Sequence, residues 1–180
     1  MQDKKISILT HQRASNLTDA LLYNVYGIPK GKKGSEVLTE SLEHLSQVYP
    51  HIQQIENQEA LKIEKKDNYF CVYTNTGNLL EARNIVVAVG ASNTFSIEGL
   101  IEFVIPHKKS LPEKNRIQLI NQDHLVTQGI YVAGVLAGHR SQVAIAAGSG
   151  AAVATDLLTL WNNNIPTDIV TGKQIGRAHV

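Results

Sequence analysis

Apolar residues come along this chain in short bursts, and the spacing within each burst predicts its element. Lys5-Ile-Ser-Ile-Leu9 reads as a strand that begins almost at the first residue, and polar Thr10 to Asn16 ends it. Tyr26-Gly-Ile-Pro-Lys-Gly-Lys-Lys-Gly34 is too rich in glycine and lysine to be anything but loop. From Ser35, expected as an N-cap, Val37, Leu38, Leu42, Leu45 and Val48 recur at helical spacing to about Tyr49, and Pro50 lies just past the end. Three strand candidates follow. Residues 58–64 are the weakest, Tyr69-Phe-Cys-Val-Tyr-Thr74 is the clearest, and Leu79-Leu-Glu-Ala-Arg83 pairs with it through the turn Asn75-Thr-Gly-Asn78. Ile85-Val-Val-Ala-Val89 is apolar without alternation, the pattern of a strand buried on both faces, and it ends at Gly90-Ala91-Ser92. A polar, proline-punctuated stretch from Asn93 to Asp123 has room for two short strands around Phe103 and Ile117. Gly129-Ile-Tyr-Val-Ala-Gly134 is a last β-rich run. A loop with His139 and Arg140 then leads to Gln142, where a long helix opens and runs to about Trp161, closed by Asn162-Asn-Asn164 and Pro166.

The first half of that helix, Gln142 to Ala154, is built almost wholly of small residues. Small side chains let a helix lie close to a strand or to a flat ligand. The N–H groups of its first turn, unused within the helix, favour negative charge in front of them. A core helix packed tightly on a sheet would use the same residues.

Composition narrows the classes. The chain has 180 residues, 43% of them hydrophobic, which suits one domain with a proper core. A net charge of +1 gives no basic field, so neither nucleic acid nor a membrane is expected as a partner. No run is expected to reach bilayer-spanning length, and the N-terminus lacks a signal-peptide pattern. The lone Cys71 excludes an internal disulfide and a Cys-x-x-Cys pair, and its place in an alternating strand predicts a buried, inert thiol. A cytoplasmic protein is the expectation. Ser/His/Asp nucleophile signatures and His/Cys clusters at metal-ligand spacing are missing, so no metal site is expected.

The order of helix, β-meander, buried strand with terminal glycine, linker, Gly-Ile-Tyr-Val-Ala-Gly and small-residue helix resembles the flavin domain of the thioredoxin reductase-like pyridine nucleotide-disulfide oxidoreductases. Val87-Ala-Val-Gly-Ala91 resembles their Ala-Thr-Gly motif, with Val89 in place of the threonine, and Tyr26-Gly-Ile-Pro29 resembles their Pro-Gly-Phe-Pro loop. The similarity spans Lys5 to Ile165. It implies an α/β, Rossmann-like FAD/NAD(P)-binding domain over residues 1–170. A mostly parallel sheet would hold Lys5–Leu9, Ile85–Val89 and Gly129–Val132, with a small antiparallel meander beside it. It also implies FAD as cofactor, with Gly90 and Ala91 near the dinucleotide and Gly134, Val135, Gln142 and Val143 near the flavin. His139 is the candidate proton donor and Arg140 could reach a flavin edge or phosphate. The reductant would be external NAD(P)H or a partner protein, and the protein could form a homodimer. His107-Lys108-Lys109 would hold an anion or simply face solvent.

Three departures qualify the resemblance. No Gly-x-Gly-x-x-Gly occurs, Lys5–Leu9 matches the family's second strand rather than its first, and Thr10 and His11 stand where an acid should bind the adenosine ribose. The space between Gly90 and Gly134 is too short for the NAD(P)H domain, which needs on the order of 100 residues. Val135 replaces an aspartate. A domain that lacks its first strand and glycine loop is the pattern of N-terminal truncation, and FAD binding by these 180 residues is expected to be weak or absent. Ile175-Gly-Arg-Ala-His-Val180 matches one reading frame of a common sequencing-library adapter, so 171–180 is expected to be a disordered, appended tail. Two functions remain: an FAD-dependent oxidoreductase without a redox dithiol, or a non-enzymatic, degenerate flavin-fold module for binding or interaction.

Overall fold

The computed structural model describes residues 4–10 and 15–166, so His11 and the segment 171–180 lie outside the described residues. The first part of the chain forms strands β1 (Ile6–Leu9), β2 (Leu21–Leu22) and β3 (Lys32–Lys33), helix α1 (Gly34–Val48) and strand β4 (Ile52–Ile55). β1 and β4 run parallel, with Ile6 opposite Ile52 and Leu9 opposite Ile55, and β2 and β3 pair antiparallel. α1 begins one residue before the expected Ser35 cap. Lys33 holds the cap position without a side-chain hydrogen bond. Gly34 leads the helix because a Cβ there would stand 1.8 Å from the Leu17 carbonyl oxygen.

The remaining strands are β5 (Ala60–Lys65), β6 (Phe70–Thr74), β7 (Leu79–Ala82), β8 (Ile85–Val87), β9 (Val104–Pro106), β10 (Ile117–Leu119), β11 (Leu125–Thr127) and β12 (Ile130–Val132), followed by helix α2 (Val143–Trp161). β5, β6 and β7 make the expected antiparallel meander. β9 and β10 are the two short linker strands, paired antiparallel. β8 runs parallel to β12, and β11 adds to the far side of β12 in the antiparallel sense. Phe70 and Val72 of the meander, Val87 and Val132 of the parallel pair, Leu119 of β10 and Leu136 beyond β12 share one core. Apolar burial of this kind is the main stabilising term, about 25 cal/mol per Å² removed from water.

The expected single, mostly parallel sheet is not formed. β1 lies with β4 in a two-stranded sheet, β8 and β12 lie with β11 in a three-stranded one, and five of the seven strand pairings among the described residues are antiparallel. No pairing among the described residues links β1 or β4 to β8 or β12, so the two parallel pairs stay in separate sheets. Ile85–Val89 is also not buried on both faces as expected. The strand stops at Val87, and Val86 is 43% exposed.

α2 docks by one stripe. Ser149, Val153 and Leu157, spaced by four, are its buried residues. Val153 and Leu157 pack on Ala133 and Tyr131 of the β12 region. The Trp161 indole N–H donates to Asn84 Oδ1 at 3.2 Å and ties down the far end. By length and composition alone α2, with mean hydropathy 1.6, is apolar enough to cross a membrane, which corrects the expectation that no run reaches that length.

Candidate cofactor crevice and its histidine cluster

Register places the crevice. Val87 stands opposite Val132 in the parallel pair and the Ala133 N–H donates to the Val87 carbonyl at 3.0 Å, so β8 and β12 end at one edge. Gly90 and Gly134 follow those ends at φ of +80° and +72°, a conformation that costs any residue with a Cβ. A Cβ on Gly90 would meet nothing within 4 Å, and one on Gly134 would meet only Ala146 Cβ at 3.9 Å. The edge is therefore open, and its wall on the helix side is small because Ala146 is small. Ala91 is buried and its carbonyl accepts the Ile117 N–H at 3.1 Å, which turns the chain into β10. Among the expected positions, Gly90 and Gly134 thus flank open space, whereas Ala91 serves the fold.

Gln142 is the N-cap of α2, and no side chain caps that helix. The N–H groups of Val143, Ala144 and Ile145 stand ahead of the helix's own ladder, which begins with Ala146 N–H to Gln142 O at 2.9 Å. The Gln142 side chain is already engaged: its Oε1 accepts from Asn24 Nδ2 at 3.2 Å and joins the Tyr23–Gly27 loop to the helix start. An open groove of about 480 Å³ runs along α1, lined by Ile28, Pro29, Val37 and His44 among others.

Val135 sits in a 3-10 turn, Gly134–Ala137. Its carbonyl accepts the Gly138 N–H at 2.9 Å and contacts His107 Nε2 at 3.1 Å. The Lys109 N–H donates to His107 Nδ1 at 3.1 Å, so Nε2 carries the His107 proton and donates it to Val135. His107 is buried and bound to the turn, whereas Lys108 and Lys109 are exposed, as the solvent-facing alternative expects. Lys108 N–H donates to Gln118 Oε1 at 2.9 Å. Gly138, at φ +90°, passes Gln118 so closely that a Cβ would stand 3.0 Å from its amide atoms. That passage sets the position of His139.

His139 does not stand alone. Its Nε2 is 3.0 Å from His124 Nε2, and His124 Nε2 is also 3.0 Å from Ser149 Oγ. Ser149 Oγ accepts the Gly134 N–H at 2.9 Å, so the network reaches the crevice glycine itself. Burial, then electrostatic interaction with His124, Lys109 and His107, holds the His139 imidazole below the usual histidine range. The sequence pattern pointed to His139 but not to its two partners. Ser149 was findable as the one hydroxyl on the buried stripe of α2. His124 was not, because it is brought in by a turn that contains no glycine.

The crevice fits one half of the implied FAD. Gly90, Gly134 and the uncapped start of α2 would hold the flavin side. At the end of β1, Thr10 is buried and its Oγ1 has no hydrogen-bond partner among the described residues. Such an orphaned atom is costly unless something polar meets it, and it sits where the adenosine ribose is expected. The Gly-x-Gly-x-x-Gly fingerprint that would cradle the pyrophosphate does not occur in the sequence.

Comparison with protein-family models gives no match, and comparison with curated proteins gives none. Solved structures do match. A thioredoxin reductase from Gloeobacter violaceus superposes with a TM-score of 0.70 at 11% identity, over 91% of this chain and 90% of that one. The atypical thioredoxin reductase TRi from Desulfovibrio vulgaris Hildenborough gives 0.62 at 12% identity, over 86% and 90%. A ferredoxin-flavin thioredoxin reductase from Clostridium acetobutylicum gives 0.59 at 15% identity, over 82% and 85%. The chain has a thioredoxin reductase-like fold.

Proposed function

From a thioredoxin reductase-like fold as premise, we propose that the protein is an FAD-dependent oxidoreductase that works without a redox-active dithiol, its flavin reduced by external NAD(P)H or by a partner protein. The observation that carries this reading is the convergence of two parallel strand ends, each followed by a positive-φ glycine, on the uncapped first turn of a small-residue helix. Doubly wound folds bind ligands outside the carboxyl ends of their strands, and a helix N-terminus favours the negative charge of a reduced flavin, by about 0.3–1 kcal/mol. When bound, FAD supplies the two-electron chemistry, and the protein supplies position, electrostatics and a proton. Gly90, Gly134 and Val143 would line the cofactor, and His139 would exchange the proton. Cys71, buried and unpaired, takes no part, and a single free thiol accords with a cytoplasmic location. The electron partner is a small molecule or a redox protein, and assembly as a homodimer is part of this reading.

Val135 favours a second reading, a non-enzymatic module of degenerate flavin fold: it offers no carboxylate, and its carbonyl is already held by His107.

Titration with FAD, followed by flavin fluorescence, separates the two. The 180-residue chain is expected to bind weakly or not at all, because no loop in it cradles a pyrophosphate. The same chain with a strand, a Gly-x-Gly-x-x-Gly loop and a helix fused ahead of Lys5 is expected to purify yellow and to lose its flavin absorption on addition of NADPH or NADH. Sub-micromolar affinity of the unfused chain would overturn the pyrophosphate argument. A well-folded but colourless fusion would favour the non-enzymatic module.

A further inference from the structure

His124 occupies an unusual backbone position. Asp123 and His124 have φ of +46° and +70°. The flanking residues exchange two hydrogen bonds, Gln122 N–H to Leu125 O at 2.9 Å and Leu125 N–H to Gln122 O at 2.8 Å. Two central residues at positive φ are the signature of a type I′ turn, whose second central position strongly favours glycine. Histidine is tolerated there but carries strain that glycine would not. Asn121 Oδ1 accepts the His124 N–H at 3.2 Å and helps to hold the turn. What the strained position achieves is the placement of the imidazole: it brings His124 Nε2 to 3.0 Å from both His139 Nε2 and Ser149 Oγ.

We propose that His124, His139 and Ser149 form one proton relay, in which His139 meets the ligand of the crevice and His124 is the positioning residue that sets its tautomer and resupplies its proton. The relay rests on the flavin reading for the identity of the proton acceptor, but not for its own existence. Two Nε2 atoms at this separation share one proton. One ring donates its Nε2–H to the bare Nε2 of the other. In the supplying state His124 carries its proton on Nε2 and His139 carries its own on Nδ1. His139 gives its Nδ1 proton to the acceptor, the Nε2 proton of His124 crosses to His139 Nε2, and a proton from solvent binds His124 Nδ1. Both rings end neutral with their tautomers exchanged, and one proton has passed from solvent to the acceptor. Ser149 accounts for both ends of this exchange. A hydroxyl accepts from an Nε2–H and donates to a bare Nε2 with equal ease, while its remaining lone pair keeps the Gly134 N–H. The groups whose electrostatics act on His139 are His124 from the turn before β11, and Lys109 and His107 from the linker between β9 and β10, and each of them disfavours the charged form of His139. From α2 the pair meets the neutral hydroxyl of Ser149.

The test is a histidine titration by long-range 1H–15N NMR on the flavin-free 180-residue chain, comparing the parent with His124→Gly and Ser149→Ala. His124→Gly suits the turn at φ +70°, so its melting temperature should equal or exceed that of the parent. In this variant the His139 midpoint should move up toward the ordinary histidine range, and its tautomer ratio should become that of a solvated imidazole. Ser149→Ala should change the tautomer ratio of His124, because it removes the hydroxyl 3.0 Å from His124 Nε2. Should His124→Gly fail to fold, His124→Asn also tolerates the turn and gives the same comparison. A His139 midpoint and tautomer unchanged in the folded variant would overturn the relay. The experiment contains no flavin, so failure of FAD binding leaves its outcome intact, and failure of the relay leaves FAD binding intact.

Discussion

The imidazole of His139 has a depressed proton affinity in the fold, and the sign of that shift makes a measurable stability claim. Burial is its largest cause, followed by the charge of His124, then Lys109 and His107. An unfolded histidine protonates near its ordinary value of about 6.5. Between that value and the lower folded one, the unfolded chain binds more protons than the native chain, so stability rises with pH. The contribution is present above the unfolded value and is lost as the solution is acidified through the folded value. Urea denaturation at about pH 7.5 and about pH 5.5 should therefore show a loss of stability in the parent that is smaller in His139→Gln. An equal loss in both would place the acid sensitivity elsewhere. At this scale the sequence located the backbone positions that follow from local order, the strand-end glycines Gly90 and Gly134 and the helix start at Gln142. It hid His124, because a type I′ turn formed by Asp123 and His124 contains neither Asn-Gly nor Asp-Gly, the pairs by which such turns are recognised.

Helix α2 shows why small residues recur in it and which of them matter. Ala146 is half-buried, and its Cβ lies 3.9 Å from where a Gly134 Cβ would stand, whereas Ala147 is exposed. Ala146→Leu must push the helix start away from the strand end or fill the crevice, and overpacking of this kind typically costs about 1–3 kcal/mol. Ala147→Leu should stay within about 0.5 kcal/mol of the parent, as exposed positions do. Thermal denaturation of the two proteins checks this pair, and equal destabilisation would refute the proposed docking face. The helix itself was legible because its length, its start at Gln142 and its end at Asn162 agree with one another. β4 and β11 were not. Ile52-Gln-Gln-Ile55 neither alternates nor forms an apolar run, and Leu125-Val-Thr127 follows a polar stretch. Both are strands only because β1 and β12 offer them an edge.

Across the molecule, burial is distributed unevenly, and stability should follow it. The large core draws on the meander, on β8 with β12, on β10 and on the turn after β12. By contrast β1 and β4 contain no fully buried residue, α1 buries only Gly34, and the two strands form an isolated parallel pair. Two-stranded sheets are marginal by themselves, and regions poor in buried apolar contact open with free energies well below that of global unfolding. Native-state hydrogen exchange should therefore find the amides of β1 and β4 exchanging faster than those of β6, β8 and β12. Fusion of the strand, glycine loop and helix ahead of Lys5 gives this gradient its sharpest test. A strand that enters between β1 and β8 would pair with both, so slower exchange should appear at both edges together, in β1 and in β8. Slowing in only one of them would mean that the added strand joins one sheet and leaves the two parallel pairs separate, and a single sheet in the order β4, β1, added strand, β8, β12, β11 would then be wrong for this protein.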